Sequence, residues 1–177
     1  MTIVELMQLE LKRVHRALDG TLDGLAPEQL HAVPGGNPKA NTIAWGLWHV
    51  VRTEDSVVRF ILQNRRTPVW NEGGYPERLG LPPTAQGTGM STEEAQALRI
   101  KDVALFREYM QKVWTSTDEF LTTATPASLD TKVTIKPLGE MEAARALAQV
   151  CVAHGFLHFG EMELARLLVG AKPVTPV

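Results

Sequence analysis

The chain has 177 residues, 44% of them hydrophobic and 21% charged, which is the composition of a globular protein and not of a disordered one. Eighteen basic side chains against twenty acidic ones leave a formal charge of −2, so there is no basic excess to hold nucleic acid. The one cysteine, Cys151, excludes an intrachain disulfide and a zinc site built from cysteines alone.

The N-terminal segment MTIVELMQLELKR carries Glu5 and Glu10, which break up any signal-peptide core. Nowhere is there an uncharged apolar run of the ~18 residues a membrane helix needs. One domain over residues 1–177, cytoplasmic and free of membrane, is expected. The prolines leave four long stretches untouched, about 2–25, 41–64, 91–124 and 139–169. Proline inside a helix costs about 3 kcal/mol, so these stretches predict four helices.

In the first stretch Val4, Met7, Leu11, Val14, Leu18, Leu22 and Leu25 follow steps of three and four. The second, with Asn41 as N-cap, has an aliphatic stripe of Ile43, Leu47, Val50, Val57, Val58 and Ile61. Its other face carries Trp45, Trp48, His49, Arg52 and Ser56, which suits a bundle wall lining a pocket. A Gly/Pro-rich crossover over 65–90, with Trp70 and Tyr75, is expected to cover or flank that pocket. Ser91 and Glu94 form a capping-box pattern before the third helix, whose stripe includes Leu98, Asp102, Leu105, Tyr109 and Val113. Residues 131–136 alternate like a strand, but one strand alone makes no sheet. In the fourth stretch Leu147, Val150, Leu157, Ala165 and Leu168 share a face, Leu164 continues the pattern, and Gly170 with Pro173 ends the helix. The expected fold is all-α, a four-helix bundle with a long crossover.

Five histidines stand out. His154 and His158 are four apart in the middle of the fourth helix, which puts both imidazoles on one face, one turn apart. Two such nitrogens can reach one ion at about 2.1 Å. On an apolar face each would otherwise need its own hydrogen-bond partner. A third ligand must come from another helix, and His49 is the best placed. His15, beside Lys12, Arg13 and Arg16, reads as a surface residue, and His31 as a solvated loop residue. Glu161, three residues after His158, could ligate, orient a histidine, accept a proton, or pair with Arg145 or Arg166. Arg52 could border the pocket and receive an anionic group, or pair with a carboxylate such as Glu161. Gly46, Gly155 and Gly160 lie in predicted helix interiors near the histidines and mark either close helix packing or room for a ligand. Cys151 reads as a buried structural thiol.

The segments NTIAWGLWHVVRTED and HGFLHFGEMELARLLVG, about a hundred residues apart, resemble the DinB/YfiT-like superfamily of metalloenzymes, and the resemblance spans nearly the whole chain. It implies a four-helix bundle in which His49, His154 and His158 bind one divalent transition metal such as zinc, nickel or iron, with Glu161 in the place of the acidic or amide residue beside them. Phe159 departs from the family pattern, which commonly has an arginine there. The characterised relatives are mostly thiol transferases. The resemblance therefore implies a metal-dependent transferase or hydrolase in which a low-molecular-weight thiol or water, activated by the metal, attacks a small electrophile. The alternative is a metal- or small-ligand-binding bundle without turnover. A small-molecule substrate and a homodimer are the expected partners.

Overall fold

The Thr2 hydroxyl accepts the Glu5 amide, and the Glu5 carboxylate accepts the Thr2 amide in return. This reciprocal cap starts α1 (Ile3–Gly20), which buries Met7, Leu11, Val14 and Leu18. A computed structural model describes residues 1–175 of the protein; Pro176 and Val177, the end of the expected domain, lie outside the described residues. After α1 come a short helix α2 (Pro27–His31) and a 3₁₀ turn at Pro34–Gly36. Next is α3 (Ile43–Asp55), which runs on through a π-helical turn at Ser56–Ile61. Thr42, not Asn41, caps α3: its hydroxyl accepts the Trp45 amide.

The crossover holds two short helices, α4 (Val69–Glu72) and α5 (Tyr75–Leu79). The third predicted helix is two helices. Ser91 and Glu94 cap α6 (Thr92–Ala97) reciprocally, as the pattern predicts. The chain then leaves helical geometry, and Asp102, expected on the apolar stripe, instead caps α7 (Val103–Thr123) by accepting the Leu105 amide. The break's Ile100 amide is satisfied by His31 Nε2. His31 is therefore not simply solvated, because its Nδ1 also donates to the Pro27 carbonyl.

A short α8 (Pro126–Leu129) leads into a hairpin of β1 (Lys132–Ile135) and β2 (Gly139–Glu142), antiparallel with Val133 opposite Met141. The strand at 132–135 thus has a partner, drawn from residues expected to begin the fourth helix. That helix starts at α9 (Ala143–Ala146), continues through a π-helical stretch at Leu147–Ala153, and becomes α10 (His154–Leu168). It ends as expected, with Gly170 at positive φ and the Ala171 amide bonded back to the Arg166 carbonyl.

The bundle closes as a ring in which α1 packs on α7, α7 on α3, α3 on α10, and α10 on α1. α3 is its most enclosed member, with all of its residues buried. The two-faced helix read from sequence is therefore surrounded, and Glu54 and Asp55 find their hydrogen-bond partners inside the protein. Arg52, Thr53, Glu54 and Asp55 are all buried. Helices approach closely at two of the three marked glycines. A Cβ on Gly155 would lie 2.6 Å from Val14 Cγ1, and one on Gly46 would lie 3.0 Å from Met162 Sδ. At Gly160 there is open space.

The π-helical stretch has a second consequence. Its i→i+5 bonding inserts an extra residue per turn, so a wheel counted at a constant 100° runs out of phase beyond it. Leu157, Leu164 and Leu168, expected on the inner face, are more than half exposed. The buried positions of α10 are Gly155, Met162, Ala165 and Arg166.

Candidate metal centre

His49 leaves the middle of α3, and His154 and His158 leave the first turns of α10, where the two helices pack side by side. Their Nε2 atoms converge. His154 Nε2 is 3.1 Å from His49 Nε2 and 3.1 Å from His158 Nε2. Two nitrogens bound to one ion at about 2.1 Å are separated by roughly 3.0–3.4 Å, so the spacing is that of ligands around a common centre. Among the described residues these three histidines form the cluster that could hold a metal ion, with ligand atoms all within 4.8 Å of one another.

The far side of each ring shows which nitrogen is free. His49 Nδ1 faces the Gln86 carbonyl, which can only accept, so the ring proton is on Nδ1. His158 Nδ1 donates to Glu161 Oε2 at 2.7 Å. In their neutral forms both rings therefore turn Nε2 lone pairs toward the centre. His154 Nδ1 is buried with no hydrogen-bond partner among the described residues. A neutral His154 can donate from Nε2 to one of its two neighbours at most, so at least one Nε2 lone pair finds no donor within the cluster, and a divalent ion fits this donor set. Burial lowers the His49 pKa. Burial, followed by the nearby His158 and His49, pushes that of His154 down to about 4. Near neutral pH these two rings are held in the form that binds metal.

The other expected site residues divide. Trp45 stacks on His49 with ring centroids 4.8 Å apart and meets His158 edge-on, so it walls the centre. Glu161 orients His158 and has no bond to Arg145 or Arg166; Arg166 is spent on the carbonyls of Thr21, Asp23 and Lys172. Trp48 is not a pocket residue, because it is fully buried against Trp70. Trp70 and Tyr75 stack together and pack on Tyr109 in the core rather than over the pocket. Arg52 faces no cleft; it pairs with a carboxylate, as the alternative expectation had it, but with Asp55 and not Glu161. Its guanidinium lies 5.0 Å over the Trp70 ring, 3.7 Å from Asp55, with Nε bonded to the Ala85 carbonyl. His15 is not on the surface either. It stacks on Trp114 and bonds through Nε2 to Glu54 at 3.0 Å, and Thr117 donates to the same carboxylate. Cys151 is buried as expected, and burial pushes its thiol well above the ordinary range.

Two clefts meet at Trp45. One, of about 460 Å³, opens onto His49 and His154 and is bordered by Lys39, Asn41, Thr88 and Met90. The other, of about 260 Å³ and mostly apolar, runs between Gly46 and Met162 to Leu164 and passes Glu161. The crossover supplies Gly87 to Met90 to the first cleft.

The DinB superfamily family model matches residues 10–162. The chain belongs to the DinB superfamily. Among solved structures, the crystal structure of a conserved protein from Enterococcus faecalis superimposes with a TM-score of 0.82, covering 96% of this chain and 99% of that one at 20% identity. At that identity the likeness speaks for the fold, and the DinB bundle is the fold seen here. No functionally curated protein matches this chain. Among the described residues no helix is long and apolar enough to cross a membrane.

Proposed function

We propose that this DinB-superfamily chain is a divalent-metal-dependent enzyme, a thiol-dependent S-transferase or a hydrolase acting on a small electrophile. The observation that carries this is the convergence of three imidazoles beside an open cleft, with His154 Nε2 3.1 Å from the Nε2 atoms of both His49 and His158. When bound, a divalent ion supplies the positive charge that lowers the pKa of a thiol or of water. Three neutral ligands leave that charge undiminished.

The protein's own residues supply the rest. Glu161 and the Gln86 carbonyl hold the ring protons of His158 and His49 on the side away from the centre. Trp45 keeps water from one side of His49 and separates the two clefts. Two clefts of unequal polarity that share Lys39, Asn41 and Trp45 favour a reaction joining two small molecules, hence the transferase over the hydrolase. No protein nucleophile is needed: Cys151, the one thiol, is buried with a raised pKa.

The test begins with metal analysis of protein purified without a histidine tag, followed by turnover screening of low-molecular-weight thiols with electrophiles. His158→Ala should abolish metal binding and activity together, and Cys151→Ala should keep most of both. Metal binding with no turnover in any thiol or hydrolytic assay would favour a binding protein. Activity that survives metal loss but not the cysteine change would replace the mechanism with cysteine chemistry.

A further inference from the structure

Three residues of α3, spaced by one turn each, grip the crossover at successive points. Asp55 accepts the amides of Val69 and Trp70 and the Tyr109 hydroxyl. Arg52, laid over Trp70, donates from Nε to the Ala85 carbonyl at 3.4 Å. His49 donates from Nδ1 to the next carbonyl, that of Gln86. The Trp70 indole and the Asn71 amide tie down Pro82 and Pro83 in between. The strap therefore reaches His49 already held from upstream.

Gly87 lets it lie flat on the imidazole. Its φ is +100°, and a Cβ there would sit 2.6 Å from His49 Nδ1 and 3.0 Å from Cγ. That is within the distance at which something must shift, and both the backbone and the ring it meets are stiff.

We propose that Arg52 and Gly87 are positioning residues for His49: together they hold the Ala85–Gly87 strap so that the Gln86 carbonyl takes the Nδ1 proton and Nε2 is left facing His154 and His158. This deepens the metal-site reading and rests on it for its functional meaning, but the tautomer it specifies is a property of the metal-free chain. A carbonyl fixing the far nitrogen of a histidine ligand sets ring orientation and ligand basicity, and loss of such a partner typically weakens metal binding by about 10–100-fold.

The experiment uses full-length protein and two readouts. Long-range ¹H–¹⁵N spectra of metal-free protein give the His49 tautomer, and titration with Co(II), followed by its visible absorption, gives affinity and ligand geometry. Wild type should show His49 protonated on Nδ1. Gly87→Ala, a change in the crossover outside the helices, should mix the His49 tautomers and weaken Co(II) binding by about 10–100-fold while helicity is kept. Arg52→Met should do the same more mildly, with Arg52→Lys recovering part of the affinity. An unchanged tautomer and unchanged Co(II) affinity in Gly87→Ala overturn the proposal, whatever the arginine variants do. If wild type has the expected tautomer, disturbed in Gly87→Ala, but binds no Co(II), the positioning stands and the metal reading fails.

Discussion

Glu161 accepts the Nδ1 proton of His158 at 2.7 Å from one turn further along the same helix, whereas the equivalent nitrogen of His154 has no partner among the described residues. Two imidazoles on adjacent turns are thus held differently, one by a carboxylate and one without a hydrogen bond at Nδ1 among the described residues. Glu161 is half-exposed and its loss leaves no buried group stranded in the core. Glu161→Gln is therefore expected to fold normally and to bind Zn(II) about 10-fold more weakly, with Glu161→Ala weaker still. Competition against a chromophoric chelator measures this. Equal affinity in all three proteins would show that the carboxylate does not support the site.

The acid behaviour of the metal-free protein follows from His154. Its folded pKa is pushed down to about 4 from 6.5. Between those values the unfolded chain binds a proton that the folded chain refuses, so this group's contribution to stability rises with pH across that window. Chelator-treated protein should lose stability as the pH falls from about 6.5 toward 4 and show no contribution from this group above about 7.5. Urea midpoints measured at a series of pH values test the slope, and His154→Gln should flatten it. The same slope in wild type and variant would assign the effect to other groups.

The bond between His15 and Glu54 predicts a large stability effect far from any ligand. Glu54→Leu would leave the buried His15 ring nitrogen and the Thr117 hydroxyl without their acceptor, at a cost of about 3 kcal/mol. Adding His15→Phe, which keeps a ring against Trp114, should recover part of that loss. Denaturant unfolding of the single and double variants decides the matter, and strictly additive losses would argue that the pair is not coupled.

Glycine substitutions in α10 should have opposite signs. Gly160 faces open space, so Gly160→Ala should gain up to about 1 kcal/mol of helix propensity. Gly155→Ala drives a methyl into Val14 of α1 and should lose about 1–2 kcal/mol net, since overpacking outweighs the propensity gain. Thermal melts of the two variants side by side are sufficient; a stabilised Gly155→Ala would mean that α1 yields easily.

What could be read in advance depended on how local the determinant was. The His154–His158 spacing needs only helical geometry, and it survives into the structure together with the Ser91 cap and the Gly170 stop. Arg52, Glu54 and His15 take partners 33 to 63 residues away in the chain, so neither the surface reading of His15 nor the pocket reading of Arg52 holds, while the carboxylate pairing of Arg52 is met locally by Asp55. The outward turn of Leu157, Leu164 and Leu168 arises from one π-helical stretch that no hydrophobic period announces. Gln86 and Gly87 lay in a segment marked as a crossover, but the bonds that bring it to His49 belong to α3 and leave no local pattern.

His49 and His154 are 105 residues apart in the chain, and everything from the crossover through the hairpin lies between them. An ion shared by these residues is a reversible cross-link around that whole loop. Loop-closure entropy grows only logarithmically with length, each doubling adding about 0.6 kcal/mol, so the long span adds little to the cost of closing it. The His154–His158 pair, by contrast, forms whenever α10 is helical, with no tertiary structure at all. Ion capture would therefore begin on a single helix late in the sequence and be completed when the first half of the chain delivers one further nitrogen, which makes assembly of the centre a report on whether the two halves of the molecule have met.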